Sequence, residues 1–195
     1  MDGCCIGAGK NITDLGVEID CNSKYDTHIN YIIGKAYARV GVIFKGFASR
    51  HLHLLRQAFI TYVRPVLGYA SSVWAPYLLK HINAIEKVQK RFTKHIYFLS
   101  HLSFRERLAA INLEPLELRR LKHDLVMYYK CLHNLVALPP DKYFCQNPKV
   151  SQTRSGGNKL IPPLCLTNHF INDFFNRCIN CYNNLPTLFL VLNSS

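Results

Sequence analysis

Two hydrophobic periods and the placement of helix breakers predict a mainly α-helical bundle, with one short N-terminal β-strand and a loop-rich C-terminal segment. Between residues 26 and 136 apolar side chains recur every three to four positions through four long stretches, the period of a helix with one buried face. Alternation with period two occurs over residues 12–20, as expected for a half-buried strand. Breakers gather further on, with Pro139-Pro140, Pro148, Ser155-Gly156-Gly157 and Pro162-Pro163 marking residues 139–169 as loop. Three parts follow: residues 1–20 with the strand, 21–138 helical, and 139–195 loop-rich with one short helix.

In the strand, Leu15, Val17 and Ile19 share one face and Asp14, Glu18 and Asp20 the other. A lone strand needs a pairing partner and nothing upstream is long enough to supply one, so the chain reads as starting inside a larger fold. Asp26 or Thr27 can cap a first helix whose stripe is Ile29, Ile32, Ile33, Ala36, Val40, Ile43, Phe44 and Phe47. A second helix from about residue 51 carries Leu52, Leu55, Phe59, Tyr62 and Val63, and Pro65 is expected to end it. The aromatic segment Tyr69 to Pro76 leads to a third helix, about 78–99, with Leu78, Ile82, Ile85, Phe92 and Ile96 inside. Ser103-Phe-Arg-Glu106 has the spacing of a capping box and opens a short helix through Leu108. Pro115 then starts a long helix, with Glu114 and Glu117 near the positive end of its dipole. Its expected apolar side is Leu118, Leu121, Leu125, Tyr128, Leu132 and Val136, opposite Arg119, Arg120, His123 and Lys130. A last amphipathic helix spans about 171–182.

Charge carries the functional signal. The chain has 195 residues and a formal net charge of +12. Residues 30–130 hold 17 Lys/Arg against 5 Asp/Glu, while the flanks cancel. No acid lies between Asp26 and Glu86, a stretch containing Lys35, Arg39, Lys45, Arg50, Arg56, Arg64 and Lys80. Because apolar residues run through the same block, it reads as a basic face on a folded unit rather than a disordered tail. Each phosphate neutralised by such a face releases condensed counterions, so a nucleic acid is the partner it suits; a merely solubilising basic surface is the bland alternative. On the third helix Lys87, Lys90, Arg91 and Lys94 follow i, i+3, i+4, i+7. They project from consecutive turns about 5 Å apart, a spacing suited to the phosphates of one strand. Arg64 is a further candidate, and Arg119 and Arg120 are weaker ones, since Arg119 is able to pair with a nearby carboxylate instead. Without a base-reading motif, binding is expected to be largely independent of sequence.

Other chemistry has less behind it. With 49% hydrophobic and 12% aromatic residues the chain can bury a core. Its longest apolar run, Leu188 to Leu192, is too short for a membrane span. No basic-then-apolar leader opens the sequence, and eight irregularly spaced cysteines suggest a reduced, intracellular protein. Gly7-Ala8-Gly9-Lys10 lacks the first glycine and the Ser/Thr of a phosphate loop. Cys178 and Cys181, with His169 before them, have zinc-like spacing but no second ligand pair, and Cys178 falls on the apolar stripe with Phe174 and Phe175. Glu18 and Asp20 share a strand face without a third carboxylate at a defined position. Neither a catalytic residue nor a metal ligand is therefore assigned. Trp74, Tyr69 and Tyr77 are able to stack on bases, although beside Pro65 and Pro76 they suit a core corner better.

Several segments in series carry a resemblance. They are Leu15-Gly16-Val17; His28-Ile29 with Lys35-Ala36; Tyr62-Val63-Arg64-Pro65-Val66-Leu67 running to Trp74-Ala75-Pro76; and Ile85 through Lys94. Glu106-Arg107-Leu108, Leu116 through Arg120, Asp124-Leu125, Thr153-Arg154 and Phe174-Phe175-Asn176-Arg177 through Asn183-Asn184-Leu185-Pro186 complete the set. In order and spacing over residues 12–186 the chain resembles the reverse transcriptase polyproteins of non-LTR retrotransposons of the jockey-like and chicken-repeat-like kind. The resemblance implies a last palm strand followed by a helical thumb and post-thumb region that grips a template and primer, as RNA or an RNA/DNA duplex. It also implies that Mg²⁺ belongs to the full-length polymerase, held by a Tyr/Phe-x-Asp-Asp turn; this chain has no Asp-Asp pair, and no catalysis of its own is expected. Gly68 stands where that family usually has Glu, Tyr182 where it has Trp, and the ending after Pro186 is short and apolar, which reads as a decayed or truncated copy. A basic protein-interaction or scaffold module and a non-functional pseudogene product are the other readings.

Overall fold

The computed structural model describes residues 11–20, 25–47, 51–138, 160 and 168–184. The chain is mainly helical, with a two-stranded antiparallel sheet at its N-terminal end, and it divides into two compact units, Met1–Arg119 and Arg120–Ser195.

The first unit opens with a hairpin rather than the single strand expected over residues 12–20. Strands β1 (Asn11–Asp14) and β2 (Val17–Asp20) pair antiparallel, from Asn11 opposite Asp20 to Asp14 opposite Val17. The two residues between them, Leu15 at φ 45° and Gly16 at φ 81°, form the left-handed two-residue turn that matches strand twist. The glycine that interrupts the alternation thus supplies the partner strand from within the same stretch. Tyr69 Oη donates to the carbonyl of Leu15 at 3.0 Å and fastens the turn.

Helix α1 spans Asp26–Gly46 and buries Ile29, Ile32, Ala36, Val40 and Ile43 along the expected stripe. Neither Asp26 nor Thr27 caps it. Tyr25, at φ 57°, holds the cap position without a side-chain bond, and Asp26 in the first turn instead pairs with His81 Nε2 at 2.5 Å and Lys80 Nζ at 3.7 Å. Pro65 does not stop the second helix. Helix α2 (Leu52–Ala58) widens into a π-helical turn, Phe59–Val63, and continues as α3 (Arg64–Gly68). Proline lacks the donor for the preceding turn, and the wider turn accommodates this by bonding Arg64 N–H back to the carbonyl of Phe59. A short helix α4, Ser71–Trp74, then turns Trp74 fully inward, with its indole N–H on the carbonyl of Tyr69 at 2.7 Å and His28 edge-on at 5.5 Å.

Helix α5 covers Leu79–Lys94, ending about five residues before the expected end near Leu99. Backbone at Ile96 turns extended, with ψ 110°, and a 3₁₀ turn, Tyr97–Leu99, follows. Both Ile96 and Leu99 remain buried. The Ser103 capping box forms as expected at helix α6, Phe104–Ala110, with reciprocal bonds between Ser103 and Glu106. Helices α1, α3, α5 and the π turn pack around a core centred on Phe92, whose ring stacks on Phe59 at 4.4 Å and meets Phe44 at 5.4 Å.

Helix α7, Leu116–Leu132, contains the division between the units. Its buried positions are Leu116, Arg120, Asp124, Tyr128 and Cys131. The expected apolar side is therefore corrected: Leu118 and Leu121 are 42% and 37% exposed, while Arg120, expected on the outer side, is inside. Within the second unit an ion pair between buried Asp124 and half-buried Arg177 sets the face, since Asp124 Oδ2 takes both Nε and Nη2 of Arg177 at 3.3 and 3.2 Å. Helices α8 (Asn168–Ile171) and α9 (Phe174–Asn183) resolve the final amphipathic stretch into two pieces. Tyr128, Cys131, Leu160, Cys178 and Ile179 make the second core. Asn183 braces Leu160 through both of that residue's backbone groups, at 2.9 and 3.0 Å. The predicted loop lies outside the described residues apart from Leu160 and the first residues of α8.

Candidate nucleic-acid interface

Three kinds of position alternate along α5. Ile85, Val88 and Phe92 enter the first core. Glu86, Gln89 and Thr93 are buried and polar, and each secures a later segment. Glu86 Oε2 accepts the N–H of Leu116 at 3.0 Å, Gln89 Nε2 donates to the carbonyl of Glu114 at 3.0 Å, and Thr93 Oγ1 receives Arg107 Nε at 3.1 Å. Lys87, Lys90, Arg91 and Lys94 are all exposed. Glu86 is the helix's only acid, and with its carboxylate turned inward the exposed face of α5 carries no negative charge.

Aromatic rings steady the middle of this row. Lys90 Nζ lies 5.2 Å from the Phe104 centroid, and the Arg91 guanidinium 5.4 Å from that of Tyr37, both within cation–π range. Arg91 and Lys94 also fall in the last turn, where cations offset the helix dipole. A row of four positive side chains so placed can neutralise successive phosphates along one strand while leaving base edges untouched.

The other arginines singled out in the sequence are not part of this row. Arg64 keeps only 10% of its side chain exposed and pairs with Glu114 at 3.4 Å. Burial, with Arg119 and Arg56 nearby, lowers its pKa, and Glu114 opposes that shift. Its charge is therefore already answered inside the unit. Arg119 is half-buried, its Nε shielded from solvent, and Arg120 is buried in the second unit. Trp74 is a core corner, Tyr69 is fastened to the hairpin, and Tyr77 is half-buried. Sequence reasoning missed Tyr97 and Phe98, which stand exposed just past the row; read as helix, they gave no sign of being turned outward.

Among the described residues no three His, Cys, Asp or Glu side chains are grouped to hold a metal ion. Cys131 and Cys178 are buried free thiols and Cys181 is half-buried. Burial, followed by the nearby Asp124 charge, pushes the Cys178 thiol well above its ordinary range, the opposite of what a nucleophile or thiolate ligand needs. No helix among the described residues is long and apolar enough to cross a membrane.

Comparison with known proteins finds a distant relative. The chain is 25% identical over 126 residues to the uncharacterized protein B0403.1 of Caenorhabditis elegans, a match covering 63% of this chain and 64% of that protein. The chain thus spans less than two thirds of that relative's length. No family model and no solved structure matches.

Proposed function

We propose that the chain binds the phosphate backbone of RNA or of an RNA/DNA duplex along the outer face of α5, as the thumb and post-thumb part of a non-LTR retrotransposon reverse transcriptase. Lys87, Lys90, Arg91 and Lys94 are the phosphate contacts, and the chain performs no catalysis itself; Mg²⁺ chemistry belongs to the parent polymerase. One observation carries the reading: four exposed cations share a helix face with no exposed carboxylate, while the remaining faces are occupied by core and cross-links. The serial resemblance to that family over residues 12–186 supports the choice of nucleic acid over another polyanion.

Four neutralised phosphates give a slope of about −3.6 in log affinity against log salt, roughly a hundredfold loss between 50 and 200 mM. Anisotropy titrations of a labelled RNA/DNA duplex across that range measure it. The double variant Lys90→Glu/Arg91→Glu is expected to bind more weakly with a clearly shallower slope. Unchanged affinity and slope in a folded variant refute the assignment. Binding to an acidic protein partner that survives nuclease treatment, with no affinity for duplexes, supports the scaffold reading instead.

A further inference from the structure

Tyr97 and Phe98, immediately beyond the basic row, are 83% and 67% exposed. Large rings at such exposure stand out against their neighbours, because Ile96 before them and Leu99 after them are both in the first core. Anchored at both ends, the 3₁₀ turn has one way to direct the two side chains between. Leu99 N–H bonds to the carbonyl of Ile96 at 2.9 Å, and Ser100 Oγ donates to that of Tyr97 at 2.9 Å. The rings are therefore presented by a fixed turn rather than a loose tail. They meet edge to face, with centroids 5.7 Å apart and planes at 80°, so together they form a corner rather than a parallel column.

Resting on the reading of α5 as a phosphate-binding face, the geometry points to a stacking site: Tyr97 and Phe98 take one unpaired base of the strand whose phosphates run along Lys87, Lys90, Arg91 and Lys94. Cations beside exposed rings are the combination used to hold single strands, since the charges follow the backbone and every base has a π-face. The corner supplies faces and edges but no set of hydrogen-bonding groups matched to one base, so it accepts any base. The preferred ligand is accordingly a duplex with a single-stranded extension. Positive charge with aromatic rings also suits an anionic membrane surface; the α5 row, with cations recurring at i, i+3, i+4 and i+7 along one helix face, favours a strand.

Three labelled RNA/DNA duplexes are compared by anisotropy with the full chain: blunt, with a five-nucleotide extension, and with the same extension made abasic. Wild type is expected to favour the extended duplex by roughly ten- to a hundredfold over both others, the effect of one stacked base. Tyr97→Ala and Phe98→Ala should each abolish most of that preference, leave blunt-duplex affinity and its salt slope intact, and fold normally by circular dichroism. Phe98→Tyr should retain it. Equal wild-type affinity for all three ligands, or a preference that survives Tyr97→Ala/Phe98→Ala, overturns the inference and leaves the α5 assignment standing. Failure to bind any duplex overturns both. Partitioning onto phosphatidylserine vesicles that depends on these rings, without the base-dependent gain, overturns it in favour of a membrane surface.

Discussion

Replacing Glu86 by alanine isolates the inward-facing role of α5. The Leu116 N–H that Glu86 Oε2 accepts at 3.0 Å belongs to the first turn of α7, where backbone donors have no helical partner. Leu116 is itself buried, so water does not readily replace the lost acceptor. An orphaned buried donor costs about 1–3 kcal/mol, and losing a negative charge at a helix N-terminus costs about 0.3–1 kcal/mol more. A total of about 1–4 kcal/mol lowers Tm by roughly 3–16 °C in a chain of this size. Glu86→Gln keeps an oxygen acceptor and gives up only the charge, so about 1 kcal/mol or less is expected. Urea unfolding followed by fluorescence measures both, because Trp74 is the single tryptophan and is buried in the same unit. The substitution leaves the outer row untouched, so duplex affinity of the folded variant should not fall. Alanine within about 0.5 kcal/mol of wild type, a margin inside ordinary surface scatter, refutes the cap; glutamine as damaging as alanine refutes the division between hydrogen bond and charge.

Phe92→Ala removes a fully buried ring stacked on Phe59 and in contact with Phe44; a loss of about 3–5 kcal/mol by denaturant titration is expected, and a loss below about 1 kcal/mol contradicts the central packing of α5. His28 is buried and accepts the N–H of Glu18 through Nδ1 at 3.3 Å. Burial lowers its pKa from 6.5, with Glu18 opposing. The folded state then holds fewer protons than the unfolded one, so stability is complete above 6.5 and declines as pH falls below it until the folded pKa is passed. His28→Asn should flatten that decline in a series of melts; an unaltered pH profile counts against it. Cys178, buried and with its thiol pKa raised, should resist iodoacetamide at pH 8 while the protein is folded and react on unfolding, as read by peptide mass spectrometry; labelling as fast as that of a free thiol excludes the second core as described.

Much of the fold could be read along the chain because helical periodicity is local. The stripe of α1, the Ser103 capping box and the outward row of α5 each depend on residues three or four positions apart. Long side chains were another matter. Arg64 stands in the same acid-poor basic block as Lys87 and Lys90, and Arg120 is expected on the outer side of α7, yet Arg64 is paired with Glu114, 50 residues away, and Arg120 lies buried. Apolar Leu118 and Leu121 gave way to Arg120 and Asp124 on α7, where the Arg177 ion pair made a polar face the buried one. Pro65 reads as a stop, yet the helix widens into a π turn just before it and continues as α3, with Val63 on one side of the proline and Leu67 on the other both buried in the core.

By itself the sequence determined that this is a helical protein with its excess charge gathered in one block, since composition and period need no partner to act. Tertiary structure decided which of those charges face water and which rings do. A carboxylate such as Glu86 or Glu114 caps or neutralises only what the fold brings beside it, the Leu116 N–H at 3.0 Å and the Arg64 guanidinium at 3.4 Å. An aromatic such as Tyr97 is exposed only because Ile96 and Leu99 on either side were drawn into the core.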